Sequence, residues 1–426
     1  MRKFSQLFGI LFFLAITTDI SAQTAGGTLD SLYAAKNYFA LRSAMQRYSS
    51  IIPEYLKLKY DAVINNVFNK PERSNQEISK LFNNYKDSLD GKAKSKLLRM
   101  KLYNDYILCS YKKAAETSQI LVDDYKSYID STEYEDIKNE HKIWNALSGS
   151  PRQSVTKSSA VEVDMKRDIA GLLNVTAQLN NHALGFIFDT GANISVIKKS
   201  LADKYGLNEL KADFYVTSAT GGKVKSELAV ADSLQIGNML FRNVVFLIFP
   251  DSSLSFPSAN YYINGIIGFP VIEAMGEIEL TKDLKLIIPE NDSNSSLDNL
   301  AIENLMPLIT ASINGKSLIF TFDTGAMNSS LSSKYYDYLK SSTDEKLSID
   351  TSHIGSAGGI SKIPSVDLKN VLIGIGGNET TLNNLKVFTI PLREEDKFFY
   401  GNLGQDIIRK FNMLIINFDK MYIKFE

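Results

Sequence analysis

The sequence predicts an all-α segment followed by a mostly β region built as two similar lobes in tandem. Three observations carry this. Apolar residues recur at helical spacing between residues 29 and 147, with almost no strand signal. Beyond residue 160 the pattern turns toward alternation, as in NVTAQLN and SLIFTFD, and turn-forming pairs follow at short intervals. The β-rich part also repeats itself. LGFIFDTGAN (Leu184 to Asn193) aligns with LIFTFDTGAM (Leu318 to Met327) at an offset of 134 residues, which also places Thr176 on Thr310, Asn180 on Asn314 and Phe188 on Phe322. Farther on, Ile266 to Ile288 matches Asn402 to Phe425 at an offset of 136, with Asp283 on Asp419. A period this long is a duplicated domain.

The chain opens with Arg2 and Lys3, the apolar run Leu7 to Ile16, and small residues at Ser21 and Ala22. This order reads as a signal peptide over 1–22 and a secreted or periplasmic protein. The apolar run is shorter than the roughly twenty residues a spanning helix needs, and an uncleaved anchor is the alternative. No cysteine lies near the junction, so a lipoprotein is not expected.

Hydrophobic residues make up 44% of the 426, enough for two or three cores. Lys and Arg number 47 against 48 Asp and Glu, a net charge of -1, so no basic field points to nucleic acid. Cys109 is the only cysteine, which excludes an intramolecular disulfide.

Residues 23–147 are expected to form helical hairpins. Leu56, Tyr60, Val63, Ile64, Val67 and Phe68 mark one amphipathic face, and Ile78, Leu81, Phe82 and Tyr85 another. Ser74 with Glu77, and Thr132 with Glu135, read as capping boxes. FNNYKD (Phe82 to Asp87) is echoed by VDDYKS (Val122 to Ser127) at an offset of 40, which suggests about three stacked hairpins of solenoid type. Their aromatic stripes are read as core. A Ser-rich linker over 148–159 follows, then lobe 1 over 160–289, a polar linker over 290–303 and lobe 2 over 304–426. Residues 160–426 are expected to fold without the helices.

Several chemistries drop out. His141, His182 and His353 are scattered and, with a single cysteine, leave no zinc-ligand spacing, so neither metal nor cofactor is expected. No Gly-x-Ser-x-Gly elbow occurs. IGIGGN (Ile373 to Asn378) lies between strand-like runs and reads as a hairpin turn, not a phosphate loop.

What remains is the pair Asp189 and Asp323, each in an Asp-Thr-Gly-Ala loop. Amide hydrolysis by water needs a base for the nucleophile and an acid for the carbonyl oxygen and the leaving nitrogen. Two carboxylates about 3 Å apart supply both, because like charges that close cannot both ionise. Gly191 and Gly325 would let backbone N–H groups approach the carboxylates, and Thr190 and Thr324 would lock the loops by hydrogen bonds.

At these residues the chain resembles the aspartic peptidases, and within them the retropepsin-like branch, which carries Ala after the Gly as Ala192 and Ala326 do here. Asn264-Gly265-Ile266-Ile267-Gly268 is similar to the family's second motif; in lobe 2 Gly401-Asn402-Leu403-Gly404 takes its place, with Asn402 departing from the apolar pattern. The resemblance implies a bilobal acid-protease fold with Asp189 and Asp323 catalytic in one chain, a polypeptide substrate bound as a strand, and a monomer without a membrane span after signal cleavage. It also assigns the pairs Gly221-Gly222 and Gly358-Gly359 to flaps over the substrate, where ordinary hairpin turns are the alternative. The helical segment lies outside the resemblance and is open to a protein partner. A non-catalytic peptide-binding or assembly protein on the same fold is the alternative function.

Overall fold

The computed structural model describes residues 23–218, 222–342, 347–356 and 359–426. The expected signal peptide therefore lies outside the described residues. A helical region is followed by a mostly β region of two lobes, as the sequence predicts.

The helices are α1 (23–34), α2 (Tyr38–Tyr48), α3 (Glu54–Val67), α4 (Pro71–Asn84), α5 (Gly91–Ile107), α6 (Tyr111–Asp124) and α7 (Ser131–Leu147). The echo seen in the sequence is structural, for α4 and α5 begin and end 40 residues before α6 and α7. Three helix ends share one device. Lys36, Asn69 and Cys109 adopt left-handed φ angles of 51°, 54° and 49°. The next amide then reaches back five residues: Asn37 N donates to Leu32 O at 2.9 Å, Lys70 N to Asn65 O at 2.7 Å and Ser110 N to Asp105 O at 2.7 Å. These bonds use carbonyls that a helix end leaves unpaired and turn the chain into the next helix. The helices follow one another as hairpins, and no superhelical order is assigned to them.

Both expected capping boxes are displaced. Pro71 occupies the first turn of α4, so the helix starts before Ser74, whose buried hydroxyl instead donates to Ala62 O at 2.9 Å. In α7 the cap is Asp130, which accepts from Thr132 N and Glu133 N, both at 3.0 Å.

In the β region three of the turn pairs act as read. Asn180-Asn181 (φ 45° and 67°) joins Leu173–Leu179 to His182–Phe188, and Asn314-Gly315 (φ 48° and 80°) joins Met306–Ile313 to Lys316–Phe322. Gly376-Gly377 (φ 57° and 86°) closes the hairpin of Gly359–Ile375 with Asn378–Phe388. Two successive positive φ angles match the twist of the paired strands.

The lobes meet in a sheet to which each contributes a hairpin. Glu277–Thr281 runs antiparallel to Met413–Asn417, flanked by Lys285–Ile288 and Tyr422–Phe425. Glu279 stands opposite Ile415, its own counterpart at the offset of 136, so the local two-fold axis of the duplication passes through this pair. The Glu277 carboxylate is buried here and accepts from Asn417 Nδ2 at 2.7 Å, Tyr422 OH at 2.9 Å and Ser293 N at 3.1 Å.

Two segments read as linkers carry strands. Ser154–Lys157 pairs with Met239 to Arg242, and Leu300–Glu303 pairs with Met306 to Ile309, because Leu300 and Ala301 are apolar and become fully buried. The helices do not stand apart from the lobes. Leu29, Tyr60 and Trp144 belong to the same buried apolar cluster as Phe186, Phe320 and Phe418. Among the described residues no helix is long and apolar enough to cross a membrane.

Burial alone would raise the pKa of Glu277, but its hydrogen bonds from Asn417, Ser293 and Tyr422 win and hold it below the ordinary value. A depressed folded pKa stabilises the fold above the unfolded pKa, about 4.3, and that contribution is lost as pH falls through the folded value. Glu277→Gln should therefore flatten the fall in melting temperature below about pH 4.3. A calorimetric series from pH 3 to 7 checks this; an acid limb as steep as wild type would contradict it.

Candidate functional site

Each lobe builds its Asp loop the same way. His182–Phe188 leads into Asp189, and the chain returns as Ser195–Lys198. Gly265–Ile267 lies between these two limbs, parallel to the first and antiparallel to the second. Its Ile267 carbonyl accepts from Asp189 N at 3.0 Å. In lobe 2 Gly401–Leu403 takes the equivalent place between Lys316–Phe322 and Ser330–Leu331, and Leu403 O accepts from Asp323 N at 3.0 Å.

One serine in each lobe ties the loop to the chain beneath it. Gly268 N donates to Ser195 Oγ at 3.1 Å and Gly404 N to Ser329 Oγ at 2.9 Å. The sequence reading missed both, although the offset of 134 aligns Ser195 with Ser329. Asn402, the departure from the apolar pattern, has its own partner: Thr321 Oγ1 donates to Asn402 Oδ1 at 2.7 Å. Their counterparts Ile187 and Ile266 are paired in the same register. One lobe thus uses an apolar pair where the other uses a hydrogen-bonded one.

The two loops are joined across the lobe boundary. Thr190 N donates to Thr324 Oγ1 and Thr324 N to Thr190 Oγ1, both at 3.0 Å. Each hydroxyl then donates to a carbonyl of the opposite lobe: Thr190 to Phe322 O at 3.2 Å, Thr324 to Phe188 O at 2.7 Å. Both threonines are fully buried.

This lock puts the carboxylates side by side. Gly191 N donates to Asp189 Oδ1 at 2.8 Å, and Gly325 N to Asp323 Oδ1 at 2.7 Å. A Cβ on Gly191 would lie 2.6 Å from Asp323 Cγ, and one on Gly325 2.2 Å from Asp189 Cγ. Each glycine therefore leaves room for the other loop's carboxylate. Burial, then the charge of Asp323 and a hydrogen bond with it, push the Asp189 carboxyl well above the ordinary value.

Residues 175–271 match the family model described as aspartyl protease. That stretch of lobe 1 is similar to the aspartyl protease family. This match spans the Asp189 loop and the Gly265–Ile267 strand, and lobe 2 repeats that aspartyl protease pattern through the internal duplication. Among solved structures, a retropepsin-like aspartic protease from Rickettsia conorii is 21% identical, with 32% of this chain and 94% of that chain covered and a TM-score of 0.22. No curated protein matches the chain.

An asymmetric brace supports the second loop, and no local sequence pattern marks it. Gln405 is fully buried; its Nε2 donates to Thr324 O at 2.7 Å while Arg167 Nη1 of lobe 1 donates to its Oε1 at 2.9 Å. Gly222 and Gly359 sit at the turn ends of the hairpins Asn208–Thr217 with Lys223–Ile236 and Asp350–Ser356 with Gly359–Ile375. Gly221 and Gly358 lie outside the described residues.

Asp189 and Asp323 line a cavity of about 2190 Å³, together with both hairpins and residues of the helical region. Small-molecule sites occupy roughly 300–1,000 Å³, so this space is of peptide size.

Thr190→Val keeps the shape of the side chain but leaves Thr324 N and Phe322 O without partners in a buried site. It should cost about 2–4 kcal/mol, whereas Thr190→Ser should cost little beyond its lost methyl group. Urea denaturation of the two variants measures the difference, and equal losses would contradict the lock.

Proposed function

We propose that the chain is an aspartic-type endopeptidase in which Asp189 and Asp323 activate one water molecule between them. The observation that carries this reading is the pair of buried loops locked by Thr190 and Thr324, with both carboxylates at the floor of a peptide-sized cavity. One carboxylate takes a proton from the water while the other, protonated, donates to the carbonyl oxygen of the scissile bond. The roles then reverse to protonate the leaving nitrogen. Gly191 N and Gly325 N hold the carboxylates in orientation throughout. An extended substrate would lie along the hairpins that carry Gly222 and Gly359, its backbone paired with their strands. The signal-like stretch before residue 23 supports action outside the cytoplasm as a cleaved, secreted or periplasmic protein.

The raised pKa of Asp189 sets the pH dependence. The working state holds one proton between two carboxylates, and a raised pKa keeps that proton at higher pH than an ordinary Asp, about 3.9, would. Ala192 and Ala326 offer no hydroxyl to favour the ionised form. Activity should peak at mildly acidic to near-neutral pH and fall on the alkaline side as the shared proton is lost. A kcat/KM profile with its maximum only in strong acid would contradict this.

Because one chain supplies both loops, it should make one complete site. Asp189→Asn and Asp323→Asn should each abolish turnover of unfolded protein, with the double variant little worse. Mixing the two single variants should restore nothing. Recovered activity, or specific activity that falls on dilution, would place the site between chains; absence of cleavage by the wild type would favour the non-catalytic alternative.

A further inference from the structure

The cavity over the two carboxylates is not bounded by the lobes alone. Lys36, Arg99, Tyr103, Asn139, Glu140 and Trp144, all from the helical region, line the same space as Asp189 and Asp323. This wall is fixed at three places. Glu303 of lobe 2 accepts from Lys36 Nζ at 2.6 Å and Tyr38 OH at 2.5 Å. Asn69 Nδ2 donates to Glu273 Oε1 at 2.8 Å and to Phe418 O at 3.1 Å, close to the sheet that joins the lobes.

The third place is the first hairpin. Strand Asn208–Thr217 ends its sheet, so among the described residues one side of its backbone has no neighbouring strand. At Tyr215 that side is taken by α7: Tyr215 N donates to Asn139 Oδ1 at 3.0 Å, and Asn139 Nδ2 donates to Tyr215 O at 2.6 Å. A side-chain amide thus copies the paired hydrogen bonds of a strand neighbour. Tyr215, Val216 and Thr217 also line the cavity, so the clasp sits on its rim.

Resting on the peptidase reading above, we propose that the helical region is the third wall of the substrate chamber and that Asn139 is a specificity-determining residue. By holding the hairpin to α7 it restricts access to extended, unfolded polypeptide and keeps folded proteins from the carboxylates. A folded domain cannot reach a floor closed on three sides, whereas a single extended strand can enter edgewise and pair with the hairpins. Opening for anything larger requires the two Asn139 bonds to break.

Three substrates and one exchange measurement test this in the full chain: a short fluorogenic peptide, a disulfide-bonded protein in its native state, and the same protein reduced and alkylated. Wild type should cleave the peptide and the reduced protein and leave the native form intact. Asn139→Ala should raise amide exchange over residues 208–217 and 223–236 by about tenfold, and should raise kcat/KM for the native protein several-fold more than for the peptide or the reduced protein. Asn139→Asp keeps the acceptor for Tyr215 N and loses the donor, so it should fall between the two and guards against a fold defect in the alanine variant. Wild-type cleavage of the native protein at a comparable rate, or unchanged hairpin exchange and an unchanged substrate ratio in both variants, would overturn the proposal while leaving the peptidase reading intact. Failure of the wild type to cleave even the peptide would sink both.

Discussion

The crossed hydrogen bonds of Thr190 and Thr324 are the constraint on which the rest of the β region depends. Four bonds pass between the lobes at this point, and each uses a group that would otherwise be buried unpaired. A lost bond in such a place costs more than its formation contributes, because the desolvated partner stays behind. The lobes therefore cannot slide or separate here without a large penalty. That rigidity brings together two carboxylates whose mutual repulsion favours separation. The interlobe sheet and the buried Glu277 network supply the rest of the restraint, well away from the repelling charges.

Much of the β architecture was legible because the chain states it twice. An offset shared by Thr190 and Thr324, Asn180 and Asn314, and Ile187 and Thr321 marks equivalent positions whatever their individual propensities. Turn pairs were equally readable, since positive φ selects Asn and Gly for local steric reasons. The helix starts were less so. A Ser or Thr followed by Glu is a cap only if nothing earlier begins the helix, and Pro71 and Asp130 do. Linker composition misled in the same way: a few apolar residues such as Leu300 and Ala301 suffice to complete a sheet edge when one is nearby.

The placement of the helical region over the cleft was not legible at all. Amphipathic spacing says which face of a helix is buried and nothing about what covers it. Asn139 occupies a position on α7 that reads as an ordinary polar surface site, yet its amide matches an unpaired strand edge from a different domain. Gln405 is a similar case, for its value comes from Arg167 and Thr324 O, which are remote in sequence. Pairings of this kind depend on tertiary placement, which no local pattern records.

The pairing of Glu279 with its own counterpart Ile415 has a consequence for how this chain can change. In a symmetric dimer of identical lobes, every substitution arrives twice, and a change tolerated on one side of the axis must also be tolerated on the other. A fused chain is released from that rule. Thr321 with Asn402 opposite Ile187 with Ile266, and Gln405 where lobe 1 has Phe269, are differences that no dimer of identical lobes can hold. Fusion makes each lobe a separate target for selection, so that one hairpin can acquire a clasp to the covering helices that its counterpart need not share.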